Sequence, residues 1–241
     1  MPVVLIYGLG NFGYAILKHL DRYRSDTYTI AAFDRYPLVM DRLRKSRRHA
    51  HIKPQHRISK NIVIPNTLDE IFSQVDILIL AVTASSLPEV ISNFNAVTPP
   101  RKKIVVINTA KALAPVTGKR LEEVVQQYFM PAHTYVYLAG GTIAEDLYNS
   151  YPLGATLASK STKSLREAEA LLVSRSFRLY QTNDVAGTEY CAAFKNVISI
   201  FAGIVSGLGW PYGSETYFIS RFSREVERFV VIASVGEMIY G

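Results

Sequence analysis

Val3-Val4-Leu5-Ile6-Tyr7-Gly8-Leu9-Gly10-Asn11-Phe12-Gly13 runs an apolar segment straight into three glycines spaced GxGxxG, and this stretch decides the fold. Val3–Tyr7 reads as a buried strand. Beyond the glycines, Ala15, Ile16 and Leu20 form an apolar stripe at helical spacing, with Lys18, Asp21 and Arg22 on the wet side. In that strand–turn–helix setting each glycine has a task. Gly8 permits the tight turn, Gly10 has no Cβ to block a pyrophosphate, and Gly13 lets the helix approach the sheet. The helix N-terminus adds unpaired N–H groups and a favourable dipole for phosphate. Gly8, Leu9, Gly10, Asn11, Phe12 and Gly13 are therefore the expected dinucleotide loop; a glycine triplet without these flanks would mark only a turn.

Outward from this loop, strand-like runs recur at Tyr28–Phe33, Ile77–Val82, Ile104–Asn108, Tyr135–Ala139, Ala155–Ser159 and Phe177–Gln181, with amphipathic helical stretches between several of them. The alternation predicts an α/β Rossmann fold, a doubly wound parallel sheet with helices on both faces. Asp34 follows the second strand, where a carboxylate can accept bonds from the adenosine ribose and disfavour a 2′-phosphate. Arg35 beside it could stack on adenine or pair with that phosphate, so NAD is expected with NADP open; the bland alternative is a solvated charge pair. Near Asn183–Gly187 the pattern changes to long helical periodicity, which divides the chain into 1–186 and 187–241. In the second part, Tyr190, Phe194, Val197, Ile200, Phe201 and Ile204 fall at the spacing of one buried helix face. A second helix from near Ser214 carries Phe218, Phe222, Val226, Phe229, Val230 and Ala233. Two helices cannot cover such faces alone.

Composition narrows the classes. The 241 residues are 49% apolar and 20% charged, enough for a substantial core. No apolar run reaches the roughly twenty residues that span a bilayer, and Met1–Tyr7 enters a strand without a signal-peptide pattern; no membrane span and a cytoplasmic location are expected. Cys191 has no partner cysteine, and His19, His49, His51, His56 and His133 lack ligand spacing, so no metal site is expected. The formal charge of +7 is concentrated in Arg42–Lys60, through Arg44, Lys45, Arg47, Arg48, Lys53 and Arg57. With no aromatic residues interleaved for base stacking, this segment reads as a solvated helix end and loop that attracts anionic ligands, and nucleic acid is not an expected partner.

Five stretches carry a resemblance: GLGNFGYA, INTAKAL, AGGTIAEDL, FRLYQTNDVAGTEYCAAFKNV and AGIVSGLG. In order and spacing they resemble the signatures of the NAD-dependent glycerol-3-phosphate dehydrogenase family, whose fold is a Rossmann domain followed by an all-helical, 6-phosphogluconate-dehydrogenase-like domain. DVAGTE, the Lys195-Asn196 pair and the Gly207–Gly209 turn are the most specific part. The resemblance implies Lys195 as the catalytic lysine, proton donor and acceptor and substrate contact, Asn196 as its neighbour in the substrate pocket, and Lys111 as second catalytic and substrate lysine, also beside the cofactor. It places Ala144, with Glu145, along the nicotinamide side. The implied activity interconverts sn-glycerol 3-phosphate and dihydroxyacetone phosphate, feeding phospholipid biosynthesis, in a homodimer with a small phosphorylated substrate. Without the resemblance, Lys195 would read as a lysine whose stem lies on apolar surface, and Lys111 as a loop lysine at the carboxyl edge of a strand.

Departures from the family pattern include Thr83 for proline, Ala112 for glycine, Gly141-Thr142 for proline-serine, Tyr212-Gly213 for Asp-Asn and Phe222 for glycine. The family's later Gly-Asp-Leu stretch and its Ser-Arg-Asn-Arg motif, which clamps substrate phosphate, do not occur in these residues. A fragment or a shortened paralogue is expected on that ground. The alternative function is a catalytically weak or inactive dinucleotide-binding scaffold or subunit.

Overall fold

The computed structural model describes residues 1–53 and 56–240, with side chains as far as residue 233. In chain order the elements are β1 (Val3–Tyr7), α1 (Asn11–Tyr23), β2 (Thr29–Phe33), α2 (Pro37–Ser46), α3 (Asp69–Phe72), β3 (Ile77–Leu80), α4 (Leu87–Asn95), β4 (Ile104–Asn108), α5 (Leu121–Tyr128), β5 (His133–Gly140), α6 (Ala144–Asn149), β6 (Leu153–Ala158), α7 (Thr162–Leu172), β7 (Phe177–Thr182), α8 (Val185–Gly207) and α9 (Tyr212–Tyr240). The strands form one sheet in the order β2-β1-β3-β4-β5-β6-β7. Side-chain alternation splits its core in two. Val4, Ile6, Ile79 and Ile107 pack with α1, α2 and α7 on one face. Leu5, Leu78, Val106 and Tyr135 pack with α3, α4 and α5 on the other.

The expected all-parallel sheet is corrected at one joint: β5 and β6 pair antiparallel, with Tyr137 opposite Ala158 and Gly140 opposite Ala155. The connection explains it. The helix between them, α6, has six residues and spans only about 9 Å, too short to return the chain along the sheet for a parallel strand. β6 therefore starts at the edge where β5 ends. Because β7 pairs parallel with β6, it ends at the opposite edge, and α8 begins there.

Two other expectations are revised. Asp21 is buried rather than wet: its carboxylate accepts the Ser59 N–H at 2.9 Å and faces the Lys18 ammonium at 3.5 Å. The basic segment is pinned rather than merely solvated, since Arg44 donates to the Pro65 carbonyl at 2.7 Å and Arg47 to that of Ile62 at 2.6 Å.

The expected break near residue 186 falls in the first turn of α8, which Asp184 caps by accepting the Gly187 N–H at 2.8 Å. The first turns of α8 are buried against the sheet through Val185 and Glu189; beyond them α8 and α9 pack along a seam where Phe194 meets Phe229 at 5.0 Å and Phe201 meets Phe222 at 4.6 Å. The rest of the expected buried face is open: Val197, Ile200 and Ile204 are each more than half exposed, and Phe229 is also exposed. Helix α9 starts two residues before Ser214. By length and composition α8 is apolar enough to cross a membrane, contrary to the estimate from uninterrupted runs. A single such helix is weak evidence of a span, and α8 carries Glu189 and Lys195 along its length.

Glu189 fastens α8 to the sheet. Its carboxylate accepts the Tyr135 hydroxyl at 2.6 Å and the Glu122 N–H at 3.0 Å, and lies 3.6 Å from the Arg120 guanidinium. Tyr135 in turn accepts from Asn108 at 2.9 Å. Burial pushes the Glu189 carboxyl up to about 7, against the lowering effect of its hydrogen bonds and Arg120. A folded-state value above the unfolded one means the folded protein binds the extra proton. The associated stability is complete below the ordinary glutamate range and is lost as pH rises through 7. Urea midpoints measured from pH 6 to 8.5 should fall in the wild type by an amount equivalent to about 1 kcal/mol and fall less in Glu189→Gln; parallel declines would contradict this.

Candidate functional site

The carboxyl ends of β1 to β5 share one edge of the sheet, and the chain segments leaving them line a continuous cleft. The glycine turn sets its floor. Gly8 has φ +93°, and a Cβ there would come within 2.7 Å of the Ala81 carbonyl oxygen. A Cβ on Gly13 would lie 2.0 Å from the Gly8 carbonyl oxygen and 2.8 Å from the Ala81 Cβ. At Gly10 a Cβ would meet nothing within 4 Å, so that position borders open space. The tight turn expected at Gly8 and the close helix approach expected at Gly13 match this geometry.

Leu9 is buried, and its N–H donates to Asp34 at 2.6 Å; the other carboxylate oxygen of Asp34 accepts the Tyr36 N–H at 2.9 Å. Asp34 thus braces the glycine turn from the end of β2. It lines a small pocket of 160 Å³ with Gly8, Gly10 and Thr83, and a carboxylate has further lone pairs for a ligand hydroxyl. Arg35, at the same pocket, pairs with Glu89 and lies over the Tyr36 ring, 5.1 Å from its centroid.

A larger pocket of 790 Å³ adjoins it, with Gly10, Asn11 and Phe12 on one side and Lys111, Thr142 and Ala144 on another. Asn11 is held through its carbonyl, which accepts the Tyr148 hydroxyl at 2.9 Å. Lys111 leaves the end of β4 and donates to the Thr142 carbonyl at 3.1 Å, with its ammonium 5.2 Å from the Phe12 ring centroid. Burial, and then the positive charge of Lys195, lower its pKa from the ordinary lysine value.

Lys111 also lines the next pocket, of 390 Å³, whose other wall is α8 with Thr188, Cys191 and Lys195. The Lys195 ammonium lies 3.8 Å from where a Cβ on Gly141 would stand. Two lysines that are 84 positions apart in sequence therefore share one pocket. Asn196 is exposed and lines none of these pockets. One residue on from Lys195, it is turned by about 100° around the helix.

Sequence reasoning missed three features. Glu189 sits inside the DVAGTE stretch, and the available signal was an acid among apolar and small residues of a helix. Lys53 and His56 line the larger pocket, whereas the sequence marks the basic segment only as a solvated helix end and loop that attracts anionic ligands. The spacing of that segment carries no sign of which of its residues turn inward.

The sequence profile of the NAD-dependent glycerol-3-phosphate dehydrogenase N-terminus matches residues 3–165, and that of its C-terminus matches residues 184–239. Among curated relatives, the chain is 30% identical over 230 residues to glycerol-3-phosphate dehydrogenase [NAD(P)+] of Syntrophomonas wolfei, covering 95% of this chain and 66% of that protein. It is 27% identical over 248 aligned positions to the protein of the same name from a Thermoanaerobacter species, covering 98% and 72%. The chain spans about two thirds of the length of these relatives. The crystal structure of glycerol-3-phosphate dehydrogenase from Coxiella burnetii superposes with a TM-score of 0.85 at 21% identity, over 96% of this chain and 69% of that one. The Plasmodium falciparum structure of that name also gives 0.85, at 19% identity over 94% and 64%. The two profiles together account for most of the sequence, and the cleft between the glycine turn and the paired lysines lies within the matched residues: the chain belongs to the NAD-dependent glycerol-3-phosphate dehydrogenase family.

Proposed function

We propose that this chain binds NAD(H), with NADP(H) as the alternative, along the cleft from Asp34 to Lys111. We further infer that it interconverts sn-glycerol 3-phosphate and dihydroxyacetone phosphate at the pocket shared by Lys111 and Lys195. The observation that carries this is the position of Lys111, half-buried against Thr142 and Phe12, between the glycine-turn pocket and the Lys195 pocket. Cytoplasmic location and homodimeric assembly belong to the same proposal.

The residues fit a dinucleotide: Gly10 leaves an open cradle at the start of α1, and Gly8 and Gly13 are too tightly packed to be ordinary turn residues. The bound cofactor would supply hydride. The protein must then stabilise and protonate the oxygen that becomes negative as the ketone is reduced. An ammonium at that oxygen does both. Lys111 is held by the Thr142 carbonyl, and its lowered pKa makes the proton easier to release than from an ordinary lysine. Lys195 brings a second positive charge from α8, and together they favour a phosphorylated substrate over a neutral one. For glycerol 3-phosphate oxidation the same groups act in reverse, which requires a deprotonated amine. Reduction therefore declines, and oxidation gains, as pH rises through the depressed value of Lys111.

A second reading, a dinucleotide-binding subunit of weak activity, is favoured by the exposed Val197, Ile200 and Ile204 and by the groove of 560 Å³ between α8 and α9 that reaches Lys195. Turnover by the chain itself separates the two. NADH oxidation dependent on dihydroxyacetone phosphate supports the first; NADH binding without turnover at saturating substrate supports the second.

Two predictions follow from named groups. Lys111→Ala and Lys195→Ala should each lower kcat by about 10² to 10³ while leaving NADH affinity within a few-fold. Lys111→Ala should also remove the fall in ketone reduction at alkaline pH. Loss of NADH binding in both variants would contradict these roles. Gly13→Ala should lower Tm by several degrees because its Cβ meets backbone, whereas Gly10→Ala should leave Tm unchanged and weaken NADH binding. Equal effects of the two on Tm would count against the open cradle.

A further inference from the structure

The larger pocket has a wall that the proposed chemistry does not use. Facing Gly10, Asn11 and Phe12 across it are Lys53 and Glu145, paired at 3.1 Å. Lys53 belongs to the basic segment after α2, and Glu145 to α6. Their side chains are 63% and 51% exposed, so water screens the pair and either partner is readily exchanged for a stronger one.

The segment that presents Lys53 is built into place. The Tyr14 hydroxyl of α1 donates to the His56 carbonyl at 2.6 Å, and Lys18 donates to the Arg57 carbonyl. The His56 ring stacks on Tyr148 of α6 at 4.2 Å and 21°, while the Tyr148 hydroxyl reaches back to the Asn11 carbonyl at 2.9 Å. His56 is 9% exposed, and its Nε2 has no hydrogen-bond partner among the described residues. Aromatic packing and backbone hydrogen bonds therefore tie the start of α1, the basic segment and α6 into one frame around the cleft. Lys53 is the cation that this frame offers to the glycine-turn side.

We propose that Lys53 is a diphosphate-binding residue of the cofactor cleft, with Glu145 as its exchangeable counter-ion. The assignment rests on the proposed dinucleotide site. The ligand group is the diphosphate rather than the substrate phosphate, because Lys53 lines the pocket of the glycine turn and not the one that holds Lys195. The diphosphate carries two negative charges against the single one of Glu145, and an ammonium–phosphate bond is charge-assisted. Glu145 faces the same space and repels an incoming diphosphate. The two residues of one ion pair therefore act on affinity with opposite signs, which no structural role of the pair would produce.

The test measures the affinities of the full chain for NADH, ADP-ribose and adenosine by calorimetry at two salt concentrations. Lys53→Ala should weaken NADH and ADP-ribose by about tenfold, leave adenosine unchanged and flatten the salt dependence. Glu145→Gln should tighten NADH and ADP-ribose several-fold, again without effect on adenosine. Weaker binding in both variants would overturn the proposal, because the pair would then only hold the cleft in shape. So would an unchanged affinity in Lys53→Ala while the wild type binds NADH; that outcome leaves the dinucleotide site standing. A wild type that does not bind NADH overturns the site and this assignment together.

Discussion

A Cβ at position 13 would stand 2.0 Å from the Gly8 carbonyl oxygen, so α1 can leave β1 at its observed angle only if that residue has no side chain. The same contact zone includes Ala81 at the end of β3, which both Gly8 and Gly13 approach. One close backbone approach thus fixes α1 against two neighbouring strands. Asp34 adds a third by accepting the Leu9 N–H from the end of β2. The start of α1 is consequently held from three strands before any ligand arrives, and a site that needs no reordering loses little binding free energy to conformational entropy.

The other end of the cleft depends on the reversal between β5 and β6. Had β6 run parallel to β5, β7 would end at the same sheet edge as the glycine turn and α8 would lead away from the cleft. With the reversal, α8 starts at the far edge and runs along β5 towards the cleft. Glu189 bonds Tyr135 near the start of β5, and six residues later, about 9 Å along the helix axis, Lys195 reaches Gly141 beyond the end of that strand. The buried Glu189 cluster thus acts as a depth gauge for the lysine. Lys111 comes from β4, so the two ammonium groups meet from independently anchored elements.

Much of this was legible in the sequence, for identifiable reasons. The glycine tasks were readable because a flanking strand and helix leave few conformations for GxGxxG. Strand positions came through within two residues, as buried strands are written in runs of Val, Ile and Leu. The direction of β6 was not, because apolar runs carry no polarity and the deciding feature was the short reach of α6. The wet assignment of Asp21 failed since helical periodicity cannot foresee the Ser59 N–H that partners it. The apolar face of α8 was correctly seen as more than two helices can cover, but periodicity could not say that Val197, Ile200 and Ile204 would be the residues left open. For the lysines, residue chemistry gave only bland readings; family register brought Lys111 and Lys195 together, and the shared pocket agrees with it. Asn196 has family register alone, and lies outside the pocket walls.

The central claim is that one cleft joins the glycine turn to the paired lysines. Its most direct test is a crystal structure of this chain with NADH and dihydroxyacetone phosphate. The account predicts the diphosphate against Gly10, Asn11 and Phe12, and the ketone oxygen within hydrogen-bond reach of Lys111 or Lys195. A dinucleotide bound away from the glycine turn, or a ketone remote from both ammonium groups, would contradict it.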